Sequence, residues 1–83
     1  MDPVELYKLL ARVPFQPVRV VLKDGRSFPI PTRRFAIVGV DYLDVGFQAL
    51  GHEEGIWGDY EHLQLKDVLR VEPLVAPPNA AAG

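Results

Sequence analysis

The chain has 83 residues, 48% of them hydrophobic, no cysteine and a formal net charge of −2. That length allows one domain around one small core, and the missing cysteines exclude a disulfide framework, a thiolate nucleophile and a zinc–cysteine site. No apolar run approaches the roughly 20 residues needed to cross a bilayer, and the opening Met1-Asp2-Pro3-Val4-Glu5 has no basic segment of the signal-peptide kind. A cytoplasmic protein with no membrane partner is the expectation.

Charge is unevenly distributed. Residues 1–40 carry seven basic and three acidic side chains, or +4, and residues 41–83 carry two basic and eight acidic ones, or −6. Either the halves neutralise each other within one fold, or a basic face of one copy meets an acidic face of another.

In chain order, Asp2-Pro3-Val4-Glu5 predicts a helix start: a capping carboxylate, a proline where no N–H is needed, and an acid in the first turn. Leu6, Leu9, Leu10 and Val13 recur at spacings of three and four, which makes an apolar stripe ending before Pro14. Pro14-Phe15-Gln16-Pro17 reads as a stiff connector whose Phe15 enters the core. Val18–Lys23 and Arg26–Ile30 read as a hairpin around Asp24-Gly25, with a type I′ turn. That turn would set Val20 opposite Pro29 and Arg19 opposite Ile30. Arg19, Val21, Lys23, Arg26, Phe28 and Ile30 would then share one face. Pro29 and Pro31 would block the outer side of the second strand, sending any β-augmenting partner to the strand at Leu43–Leu50 or Ile56–His62.

Phe35–Val40 is apolar on both faces and reads as a central strand. A turn at Asp41-Tyr42 leads into Leu43–Leu50, a glycine-bounded polar loop spans Gly51–Gly55, and a further strand follows at Ile56–His62. Leu63-Gln64-Leu65 then leads through one helical turn at Lys66-Asp67-Val68 into a short last strand, Leu69-Arg70-Val71. The fold class is mainly β (α+β): an N-terminal helix, then a five-stranded bent antiparallel sheet or small barrel. Residues 1–75 would form the single domain, and 76–83 a flexible Pro/Ala tail with nothing to bury.

Val20-Val21-Leu22-Lys23-Asp24-Gly25-Arg26 resembles the first signature of Sm-like proteins, and Leu65–Val71 stands where the second would fall. From Val18 onward the order of elements is similar to Sm-like and SH3-like small barrels. Leu9-Leu10, Pro14-Phe15-Gln16-Pro17, Asp24-Gly25-Arg26 and Arg70-Val71-Glu72-Pro73 also resemble a set of small bacterial proteins of uncharacterised function. The Sm-like resemblance implies a small barrel and, by extension, RNA binding. Asp41-Tyr42-Leu43-Asp44 carries carboxylates where Sm-like RNA binders carry asparagine, and Lys66-Asp67 stands in place of their Arg-Gly pair.

Few residues carry site chemistry. His52, Glu53, Glu54, Asp59, Glu61 and His62 have metal-ligating side chains, but the two histidines lie ten apart across a loop, which favours a solvated acidic surface over a metal-dependent hydrolase. Gly51, Gly55 and Gly58 lack the Lys-Ser/Thr of a phosphate loop and read as turn glycines. No nucleophile has a base beside it, so no enzyme, cofactor or metal is expected. Arg19, Lys23, Arg33, Arg34 and Phe35 form the best basic-plus-aromatic set for single-stranded nucleic acid. Trp57, with Tyr60 and Tyr42, is either core or an interface anchor. The leading expectation is a non-catalytic protein-interaction or assembly module, a homo-oligomer or the partner of another protein. The alternative is a single-stranded nucleic-acid (RNA) binder of the Sm-like type.

Overall fold

The computed structural model describes residues 1–74, so the expected tail from Ala76 onward lies outside the described residues. The helix α1 spans Pro3–Leu10. Asp2 accepts a hydrogen bond from the Val4 N–H at 3.0 Å, and Pro3 occupies the first turn, as its lack of an N–H allows. The helix is shorter than its apolar stripe: Leu6 and Leu10 are buried, whereas Val13 is 88% exposed. Pro14 disfavours helical backbone at Val13, which removes that residue from the stripe. No helix among the described residues is long and apolar enough to cross a membrane.

Six strands follow: β1 Val18–Leu22, β2 Ser27–Ile30, β3 Ala36–Val38, β4 Tyr42–Gln48, β5 Trp57–Gln64 and β6 Val68–Pro73. They form two antiparallel three-stranded sheets, β2-β1-β6 and β3-β4-β5. The expectation of a single five-stranded sheet or closed barrel is corrected here. What the sequence suggests as one bent sheet is divided: β2 runs through Pro29 and ends at Ile30, just before Pro31, and a 3-10 turn at Arg33–Phe35 separates it from β3. Prolines donate no ladder hydrogen bond, so pairing cannot run through them on their outer side.

The first hairpin also differs from expectation by one residue. Val20 pairs with Phe28 and Arg19 with Pro29. The loop is Lys23-Asp24-Gly25, closed by Gly25 N–H to Leu22 O at 3.0 Å and Leu22 N–H to Arg26 O at 2.8 Å. Only Gly25 has positive φ, +95°, so this is a turn followed by a glycine bulge and not a type I′ turn. A one-residue slip moves every side chain to the other face. The observed register places Val18, Val20 and Leu22 with Phe28 and Ile30 on the inner face, which is the register that buries apolar surface. The proline argument survives the slip, because the phase of β2 counted from Arg26 is unchanged. Pro29 still falls at a pair that makes no hydrogen bonds to β1, and β2 is an edge strand.

Between the sheets lies the core. Leu6 and Leu10 enter it from α1, Val18, Val20, Leu22 and Ile30 from the first sheet, Leu43, Val45 and Leu63 from the second, with Leu65 and Val68 at the link and Phe15 packed against it. Phe28 of β2 meets Phe47 of β4 with ring centroids 6.4 Å apart. Each fully buried side chain of this kind contributes roughly 1.5–3 kcal/mol. The segment expected to be the central strand is instead β3, a three-residue edge with Ile37 52% exposed. The centre of the second sheet is β4, and its turn from β3 comes one residue earlier than expected, with Gly39 N–H bonded to Tyr42 O. The helical turn expected before the last strand is a 3-10 turn at Leu65–Asp67, one residue earlier than expected, so that β6 begins at Val68.

Candidate functional site

Strand alternation sends Leu43 and Val45 of β4 inward and Tyr42, Asp44, Gly46 and Gln48 outward. Their partners on β5 are Gln64, His62, Tyr60 and Trp57, in that order. Ile37 of β3 lies opposite Asp44. The outer face of the second sheet is therefore a continuous surface holding all three residues singled out for interaction, Trp57, Tyr60 and Tyr42.

Two glycines shape this surface. Gly46 has no side chain, and the indole of Trp57 lies where its Cβ would be. The ring is also held at its edge, where Nε1 donates to the Arg34 carbonyl oxygen at 3.0 Å. An irregularity between Phe47 and Gln48 in the β4–β5 ladder absorbs Gly58 and keeps Trp57 on the outer face. Trp57 is thus half-buried on the outside of the sheet, outside the central core. Tyr60 is 55% exposed, its ring 6.2 Å from that of Trp57. Tyr42 lies over Gly39, its ring 5.0 Å from His62. His62 Nδ1 and Asp44 Oδ1 form a short hydrogen bond across the strands, which orients the imidazole beside Tyr42.

The basic set is arranged differently. Arg19 pairs with Glu72 at 3.7 Å on the outer face of the first sheet. Lys23 sits at the hairpin tip, and Arg33 and Arg34 follow β2 at the opposite end of that hairpin. Five residues of strand separate these ends, about 17 Å. Phe35 is 5% exposed, so its ring is committed to the interior and offers no face for a base. Among the metal-ligating side chains, alternation puts Asp59 and Glu61 on the opposite side of β5 from His62, with His52 in the β4–β5 loop. Gly51 and Gly55 have φ of +78° and +97°, which fits turn glycines.

Four free strand edges remain among the described residues, and each is blunted. On β2 the outer side carries Pro29 and Pro31. The edge strand β3 is three residues long. On β5, Asp59 and Glu61 occupy the inward phase opposite Phe47 and Val45, placing charge where a zipped-up edge would need apolar contact. On β6 the ladder shifts at Leu69 and ends in Pro73. The expectation of augmentation on the Leu43–Leu50 strand is corrected, because both sides of β4 are already paired.

Sequence reasoning missed the Asp44–His62 pair, Ile37, and Gln48, whose side chain braces the β4–β5 loop. The loop length and the bulge at Gly58 hide the register that brings Asp44 to His62, and no local motif marks Gln48. No family model, curated protein or solved structure matches the chain.

Proposed function

We propose that this chain is a non-catalytic interaction module that docks a protein partner, in the first instance a second copy of itself, on the outer face of its second sheet. The observation that supports this most directly is the outward cluster of Trp57, Tyr60, Tyr42 and His62, set where neighbouring edges are closed to strand addition. Aromatic side chains combine large contact area with little entropy to lose, which makes them the usual anchors of interfaces. We also propose a distant relation to Sm-like or SH3-like proteins, with two separate sheets in place of a closed barrel. In support, β1 sits between β2 and β6, and a 3-10 turn precedes the last strand.

Light scattering over a dilution series tests the reading. A mass above the monomer at high concentration, reduced in Tyr60→Ser, is expected. Tyr60→Ser should change stability by no more than about 0.5 kcal/mol, as exposed substitutions generally do. A strict monomer at every concentration removes the self-association claim.

A further inference from the structure

The most exposed large apolar side chain among the described residues is Leu50, at 95%. It does not hang from a loose loop. The Gln48 side chain donates through Nε2 to the carbonyl oxygens of Ala49, His52 and Glu53 at 3.0, 3.4 and 2.9 Å, and its Oε1 accepts from the Gly55 N–H at 2.9 Å. Backbone bonds from Ala49 to Ile56 and from Ile56 to Glu53 close the same loop. The leucine is thus held out on a pre-organised support, which lowers the entropy lost on binding. Glu53 and Glu54, both exposed, lie in the same loop.

On another side of the molecule, a groove of about 390 Å³ runs between the end of α1 and β6, lined by Leu9, Val13, Pro14, Pro17 and Val71 with Arg12. Its volume lies within the usual range of binding pockets, roughly 300–1,000 Å³. Arg12, exposed just past the end of α1, lines it, and Lys8, exposed on the last turn of α1, lines a neighbouring hollow that shares Leu9 and Arg12 with the groove and also includes Glu5. Glu72 also borders it, but is held by Arg19 and Arg70 at 3.7 and 2.9 Å.

We infer that Leu50 of one copy inserts into this groove on a second copy, with Glu53 and Glu54 set against Lys8 and Arg12. This rests on the reading of the chain as a self-associating module and adds a second contact between copies, separate from the outer face of the second sheet. Shape and charge both point to it: an apolar knob with an acidic collar, and an apolar groove with a basic rim. Because the two surfaces lie on different parts of the chain, the contact is head-to-tail and repeats around a ring or along a filament. The other occupant the groove could take is the chain's own segment 75–83, which follows Leu74 where its N–H bonds Pro17 O.

Sedimentation over a dilution series at low and high salt, on the full chain, tests the contact. Association is expected to weaken with salt. Leu50→Glu and Arg12→Glu should each weaken it by about tenfold or more, as loss of an anchor does. Glu54→Arg placed in the Arg12→Glu background should restore part of it. Since the chain has no cysteine, mixing Leu50→Cys with Val13→Cys under oxidation should yield the mixed disulfide dimer. Far-UV circular dichroism checks folding of each variant, and all four mutated positions are exposed. Association indifferent to Leu50→Glu overturns this contact while leaving the self-association reading intact. A strict monomer overturns both. Groove protection in hydrogen exchange that disappears when residues 75–83 are removed, and not on dilution, assigns the groove to the chain's own segment and also overturns the contact.

Discussion

The outer faces of the two sheets are built from the same alternation and end with opposite characters. On the first, Arg19, Glu72 and Arg70 form a chain of ion pairs at 3.7 and 2.9 Å, flanking Val21. On the second, one Asp44–His62 pair stands among Tyr42, Trp57, Tyr60 and Ile37. Exposed ion pairs contribute about 0–1 kcal/mol and satisfy each other in water, so the first face gains little from a partner. Rings held on a flat sheet keep apolar area in water that a partner can cover. The fold therefore separates a surface finished by its own charges from one that leaves aromatic area exposed.

One glycine in each half of the fold matters for a different physical reason, and substitution there should break the comparison most clearly. Gly46→Val puts a side chain where the Trp57 indole lies. Overpacking of this kind costs about 1–3 kcal/mol. Denaturant titration should show that loss, and tryptophan emission should shift to the red as the ring leaves its place against Arg34. Emission unchanged from the parent would mean that Gly46 does not seat the ring. In the first sheet, Gly25→Val meets no steric neighbour, but its φ of +95° penalises any side chain. The expected loss is about 1–2 kcal/mol. A neutral result would show that the hairpin can change its turn without losing its register.

Smaller effects sharpen the contrast. Glu72→Gln should cost less than about 1 kcal/mol, and that cost should shrink at high salt. A larger loss would mean that the ion-paired face is structural and not simply solvated. At the hairpin, the Asp24 carboxyl is held below the ordinary carboxylate range, chiefly by the Arg26 backbone N–H and then by the Arg26 side chain. A lowered carboxyl pKa stabilises the folded state above the unfolded value, about 3.9, and that contribution is lost as pH falls through the lowered folded value. Asp24→Asn should flatten this part of the acid titration of stability without altering the neutral-pH fold. A parent and variant with identical acid profiles would remove Asp24 from the account.

Much of the chain is legible locally. Asp2 and Pro3 start α1, Asp24-Gly25 marks the first hairpin, Pro29 and Pro31 close one edge, and Leu65–Asp67 makes a helical turn before the last strand. In each case the signal is a side chain acting on backbone within a few residues. The candidate surface is legible only in part. Trp57, Tyr60 and Tyr42 stand out by residue type, yet their sharing of one face depends on the β4–β5 register and on Gly46 and Gly39 lying beneath two of the rings. Phe35 resembles a stacking residue beside Arg33-Arg34 but turns inward, because the 3-10 turn points it at the interior.

By itself the sequence determined to within a residue where the chain turns, where it cannot pair, and that its charge divides between halves. Those properties follow from proline's missing N–H, glycine's free φ and the count of ionised groups. Tertiary structure decided which strand is central, which residues of β1 and β2 face inward, and where Trp57 lies. A turn alone permits two registers one residue apart. The choice falls to the packing of Val18, Val20, Leu22, Phe28 and Ile30 against Leu43, Val45 and Leu63, residues distant in sequence whose joint burial exists only once both sheets have met.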